Sequence, residues 1–177
     1  MTIMQLSPES QGVRTKSRLY EFLWMLAESV FVNNSLQISS YLRVMVLRMF
    51  GAKIGRDVII RNCKVKWPWN LQIGDRCWIG EKVWFHNQDV TTIGNDTVIS
   101  QDTFITTGSH ELTTMELTTS PVIIGSNVWI TSRCVVTKGV IVGDGVVVTP
   151  NSVVYKSISD GIYGGNPITF LRKRHVE

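Results

Sequence analysis

Ile73-Gly74-Asp75-Arg76-Cys77-Trp78, followed at once by Ile79-Gly80-Glu81-Lys82-Val83-Trp84, decides how this chain folds. Both hexads run in one order: an aliphatic residue, glycine, two polar or turn residues, a small residue, then a variable one. The order also stands at Ile54 to Ile59, Ile93 to Val98, Ile99 to Phe104, Ile105 to His110 and Ile124 to Trp129. It then runs on through copies beginning at Ile130, Val136, Val142 and Val148. A period of six suits neither an amphipathic helix nor a long strand; it suits a strand of two or three residues and a tight turn, repeated. Gly, Asn and Asp in the second to fourth places tolerate the positive φ of such turns. The aliphatic first residue points into a shared interior. The small fifth residue (Val58, Cys77, Val83, Thr97, Thr103, Val128, Cys134, Val140, Val146 or Ser152) sits beside it. Three units close a triangular coil, and coils stack about 4.8 Å apart, the spacing of strands in a sheet.

Measured from coil start to coil start, the steps are 19 residues from 54 to 73, 20 from 73 to 93, 31 from 93 to 124 and 18 from 124 to 142. One step therefore carries an excess of a different order, a loop at about 111–121 thrown out from a regular solenoid. Binding and catalytic groups concentrate on such loops. His110 stands at its base. The chain divides into an N-terminal helical segment (1–50), the β-helix (51–160) and a C-terminal turn with a basic tail (161–177).

The chain has 177 residues, 44% of them apolar and 18% charged, which suits one packed domain and excludes a disordered chain. A net charge of +4 without a basic stripe argues against nucleic acid as partner. Three cysteines without a CxxC pair exclude a disulfide framework and a thiolate zinc site, and point to a reducing, cytoplasmic setting. Glu9, Arg14 and Lys16 precede any apolar run, unlike a signal peptide. Leu19 to Val32 is too short to span a bilayer; it packs on protein or lies on a membrane surface.

In these hexads and the loop at His110, the chain resembles the hexapeptide-repeat acyltransferases, whose fold is a left-handed parallel β-helix. Leu47 to Gly55, Pro68-Trp69-Asn70-Leu71, Trp78-Ile79-Gly80-Glu81 and Gly108-Ser109-His110 are similar to its colanic-acid-biosynthesis branch. Departures include Asn87-Gln88, Glu111 after the histidine, and Ile168 in the closing Gly-Asn-Pro turn. The resemblance implies acetyl transfer from acetyl-CoA to a saccharide hydroxyl in polysaccharide biosynthesis, with His110 as general base. It also implies a homotrimer with active sites between subunits. An imidazole that takes the hydroxyl proton during attack on the thioester contributes about 10²–10⁴ in rate. Its other nitrogen needs a partner, a backbone carbonyl or a carboxylate such as Glu111.

The resemblance further implies a donor segment at Asn127 to Ser132, along a groove between neighbouring subunits, with Trp129, Thr131 and Ser132 as contacts; Thr131 stands where the family more commonly has Gly or Ala, and its bulk would narrow the groove. Arg172, Lys173 and Arg174 form either a clamp on the nucleotide phosphates or a solvated terminus. Glu81 and Asn87 are candidates for the sugar, Glu81 equally a plain turn residue. His86 reads as a wall or ligand-contact residue and His175 as tail. Trp84 and Phe85 are candidate interface residues. A three-histidine zinc site is the runner-up, but His86 and His110 occupy inequivalent coil places, so no metal is expected. Cys77 and Cys134 pack inside, and Cys63 falls out of frame. The alternatives are N-acetylation of an amino sugar and a non-catalytic scaffold.

Overall fold

The computed structural model describes residues 15–174; His175 lies outside them. Its strands form a three-sided parallel prism. The first face stacks Lys53–Ile54, Leu71–Ile73, Thr91–Ile93, Val122–Ile124 and Ile141–Val142. The second stacks Ile59–Ile60, Trp78–Ile79, Val98–Ile99, Trp129–Ile130 and Val147–Val148, and the third runs from Lys64–Val65 through Trp84–His86 and Phe104–Thr106 to Val153–Val154. Register follows the repeat: Gln72 pairs with Thr92, Thr92 with Ile123 and Ile123 with Ile141. First-place residues fill the interior, with Ile79, Ile99, Ile105, Ile130 and Val148 fully buried.

Fifth-place residues are buried too, except Val58, which is half-buried in the first coil. Those carrying hydroxyls bond to the backbone of the next coil: Thr97 Oγ1 donates to the Gly125 carbonyl at 2.8 Å and Thr103 Oγ1 to that of Thr131 at 3.0 Å. Cys63, expected out of frame, occupies this same place. Lys64 pairs with Trp84, which sets Cys63 level with Val83, and the turn before it is one residue short. Phe85 also differs from its expectation. It is 1% exposed inside the prism, so only Trp84 of that pair faces outward.

The corners divide labour differently from the sequence reading. Positive φ falls on the fourth place, at Asp57, Arg76, Asp96 and Asn127 on one corner and at Lys82, Asp102, Arg133 and Asn151 on the next. The second-place glycines serve close stacking instead. A Cβ on Gly94 would lie 2.6 Å from the Gly125 carbonyl carbon and from Ser126 N, both backbone atoms. Side chains then bridge coils at this corner: Asp75 Oδ1 accepts the Arg56 N–H at 2.7 Å, Asn95 Oδ1 that of Asp75 at 2.8 Å, and Asp144 Oδ1 that of Ser126 at 2.7 Å. The bond from the Arg56 amide holds the Asp75 carboxyl below its ordinary range.

An end coil of a solenoid exposes its apolar interior and must be capped. Helix α1 (Arg18–Ala27) begins where Ser17 Oγ accepts the Tyr20 N–H, continues into a π-helical turn (Glu28–Val32), and is followed by α2 (Ser40–Met49), capped by Ser39. Trp24, buried, donates its indole N–H to the Val65 carbonyl at 2.9 Å. Leu47 and Val44 close the core beneath the first coil. Arg43 is buried as well, and its guanidinium ties together the carbonyls of Val32, Asn34 and Gln37 between the helices.

Candidate active site

The surplus residues after the third face form a hairpin. Gly108–His110 pairs antiparallel with Leu117–Thr119, and the chain rejoins the first face at Val122. Its tip turns back on itself: Glu111 N–H donates to the Glu116 carbonyl, and Met115 takes φ 57° while its N–H donates to the Glu111 carbonyl. That turn places the Met115 carbonyl 2.8 Å from His110 Nδ1. A carbonyl only accepts, so Nδ1 carries a proton, and in the neutral ring the lone pair sits on Nε2. The imidazole is exposed at the prism's edge. The partner expected for the second nitrogen is thus a backbone carbonyl; Glu111 contributes its main chain to the hairpin.

Behind the hairpin runs a chain of polar groups. Thr106 Oγ1 donates to the Gly108 carbonyl at 3.0 Å; His86 Nδ1 lies 3.3 Å from Thr106 Oγ1, and Lys66 Nζ lies 3.4 Å from His86 Nε2. Directions agree when His86 is neutral with its proton on Nδ1. Burial, then Lys66 and Lys64, hold this imidazole below its ordinary pKa. His86 opens on a cavity of about 340 Å³ between α1 and the third face, walled by Trp24, Trp67 and Trp84 with Glu21, Glu28 and Lys66 at its polar positions. Lys64 Nζ sits 4.5 Å from the Trp84 ring centroid. Aromatic walls with a few polar groups between them suit a small-molecule pocket. A larger hollow, about 590 Å³, lies on the first face along the glycine corner and holds none of the histidines. Among the described residues no three His, Cys, Asp or Glu side chains are grouped as a metal site.

The two candidates for the sugar are occupied elsewhere. Asn87 is fully buried; its Nδ2 donates to the Trp67 carbonyl at 2.7 Å and its Oδ1 accepts the Trp67 N–H at 3.1 Å. It is a clip between coils that holds Trp67 in the cavity wall. Glu81 pairs with Arg61 at 3.5 Å on an exposed corner, beside Ser35 and Gln37. Lys66, Trp67, Trp24 and the Met115 carbonyl went unread in the sequence. The Lys64, Lys66, Trp84 and His86 alternation on outward strand places is the signal that would have found part of this set.

On the second face Trp129 stands half exposed between Val98 and Val147 and donates its indole N–H to Ser100 Oγ at 3.1 Å. Thr131 does not narrow the surface beside it. It is 8% exposed, and its hydroxyl turns inward to the Val148 carbonyl at 2.7 Å. Ser132 is half-buried, and its carbonyl accepts the Asn151 N–H. The C-terminal strand Thr169–Arg172 folds back antiparallel on Ile162–Gly164 at the end of this face. Arg174 then reaches the Asn127 carbonyl at 2.7 Å and that of Gly145 at 2.9 Å, which brings the basic tail onto the corner from which Trp129 springs. Arg172 and Lys173 remain exposed.

Residues 121–156 match the family model described as bacterial transferase hexapeptide (six repeats). With the parallel three-sided coil, this defines a hexapeptide-repeat transferase with the left-handed parallel β-helix fold. The protein WcaF of Escherichia coli strain K12, whose name assigns it to colanic acid biosynthesis as an acetyltransferase, is 36% identical over 168 residues, 93% of this chain and 92% of its own. Among solved structures, the hexapeptide-repeat acetyltransferase VCA0836 of Vibrio cholerae O1 biovar eltor, complexed with acetyl coenzyme A, superposes with TM-score 0.77 at 26% identity, covering 88% of this chain and 86% of that one. A maltose O-acetyltransferase of Clostridium difficile 630 gives TM-score 0.77 at 25% identity over 90% of each chain. The chain belongs to the hexapeptide-repeat acetyltransferases, in the colanic-acid-biosynthesis branch.

Proposed function

We propose that this acetyltransferase moves the acetyl group of acetyl-CoA to a hydroxyl of a saccharide in polysaccharide biosynthesis, with His110 as general base. The observation that carries this reading is the 2.8 Å contact of His110 Nδ1 with the Met115 carbonyl, which leaves Nε2 free to take a proton. As the hydroxyl oxygen bonds to the thioester carbon, Nε2 accepts its proton. The C–S bond then breaks, and the CoA thiolate takes the proton from the imidazolium. Trp129 and Ser132 flank the pantetheine arm, with Thr131 supporting the strand from inside. Arg172 and Lys173 face the nucleotide phosphates, and Arg174 anchors the tail beside them.

The cavity of Trp24, Trp67 and Trp84 receives the acceptor, and Asn87 acts there as a positioning residue through Trp67. Glu81 stands outside this cavity, tied to Arg61 on its own corner. The enzyme works as a homotrimer in the cytoplasm; three buried free cysteines suit a reducing compartment. Release of CoA thiol from acetyl-CoA, measured against panels of neutral, acidic and amino sugars, tests the reading. Turnover on hydroxyl acceptors is expected. Turnover confined to amino sugars would establish N-acetylation instead, and no thermal shift with CoA would indicate a scaffold.

A further inference from the structure

Helix α1 is apolar on both sides. Trp24, Tyr20 and Ala27 face the prism, while Leu19, Phe22, Leu23 and Leu26 form a second stripe on the opposite face, each about half or more exposed. On α2, Tyr41, Met45 and Met49 repeat the pattern at helical spacing, and the connection between the helices ends in Leu36 and Ile38, 91% and 83% exposed. Among the described residues, twelve of the twenty-two large exposed apolar side chains lie between positions 19 and 49; the rest are spread along the prism. A helix apolar all round is one covered on both sides.

Charge identifies the cover. From residue 15 through the first strand, every exposed charged side chain is basic: Lys16 and Arg18 at the start of α1, and Arg48 and Lys53 beside the hollow of the first face, where Arg48 donates to the Ile54 and Gly55 carbonyls. Both acids of the segment turn inward. Glu28 accepts the Val65 N–H at 2.6 Å, and Glu21 lines the cavity behind α1. A second copy seated face to face would set these cations against one another with no exposed acid in the segment to meet them. An anionic lipid surface would neutralise them and take up the apolar stripe. The inward face is meanwhile held by the Trp24 bond to Val65 and by Tyr20 against Phe50 and Trp69. Helix α1 therefore lies along the surface, as an interfacial helix does, and no described helix is long and apolar enough to cross.

We propose that the outer face of α1, α2 and their connection docks the enzyme on an anionic membrane surface. This surface stands apart from the acyl-transfer reading, and its test uses none of the catalytic groups. Flotation of the full chain with phosphatidylcholine vesicles, with and without phosphatidylglycerol, is the experiment. Binding to the anionic vesicles that weakens with salt is expected. The Phe22→Ser, Leu23→Ser, Leu26→Ser variant should lose vesicle binding by about tenfold or more, with its mass in solution and its thermal shift with CoA unchanged. The Lys16→Glu, Arg18→Glu variant, which leaves every apolar contact in place, should lose the preference for anionic vesicles by about fivefold or more per residue. Wild-type protein that floats with neither vesicle overturns the proposal. So does a serine variant whose mass falls, since the face would then belong to a second copy.

Discussion

Replacing His110 by Asn separates proton transfer from hairpin geometry. The Asn side-chain amide nitrogen stands near the place of Nδ1, so it still donates to the Met115 carbonyl, now 2.8 Å from the ring. It has nothing at the place of Nε2. Loss of a general base lowers the rate about 10²–10⁴-fold, which is about 2.7–5.4 kcal/mol in barrier. Stability should hardly move, because the ring is exposed and its one hydrogen bond survives. His110→Ala removes that bond as well, worth about 0.5–1.5 kcal/mol net, or a fall of a few degrees in Tm. Both variants should therefore lose activity equally while differing slightly in Tm, and both should bind CoA.

The assay is CoA thiol release followed with a thiol reagent. The protein's own background is low, because Cys63, Cys77 and Cys134 are buried and desolvation pushes the Cys63 thiol up to about 12. Turnover of the Asn variant within tenfold of wild type would refute the base assignment. Asn rescuing most of what Ala loses would refute it too, since the ring would then be a strut for the hairpin.

Gly94→Ala drives a methyl against the backbone of Gly125 and Ser126, and should cost about 1–3 kcal/mol in urea denaturation. Asn87→Leu strands the buried N–H of Trp67, whose carbonyl still accepts the Asn70 N–H at 3.0 Å, so Tm should fall by about 2–12 °C. The KM for the sugar should also rise if Trp67 walls the acceptor cavity. His86 carries a pH signature. Burial, with Lys66 and Lys64, places its folded pKa below the unfolded value of about 6.5. The unfolded chain therefore binds the extra proton first, and stability present above about pH 6.5 declines as pH falls through that value, levelling below the folded pKa. His86→Gln should flatten that slope in urea midpoints measured across the range.

The prism was legible residue by residue because a short period repeated in phase leaves few ways to fold. Ile79, Ile99 and Ile130 could only face inward once three hexads make a coil, and the surplus between 93 and 124 could only leave it. His110 was legible by its place before that surplus. Cys63 departs from expectation because the turn before it is one residue short, which moves a side chain to a different place in the coil. Phe85 follows the full hexad Ile79 to Trp84 and so holds the inward first place, level with Val65 and Ile105.

Sequence alone thus determined the coil, its interior and the base of the loop, all of which follow from local spacing. Tertiary structure alone decided which partner fixes the imidazole, that Thr131 turns inward, that Asn87 clips two coils together, and that Arg174 returns to the corner of Trp129. These contacts join residues separated by a hairpin turn, a coil or a tail. Their geometry depends on where the backbone of one segment lies against another, which no periodicity along the chain encodes.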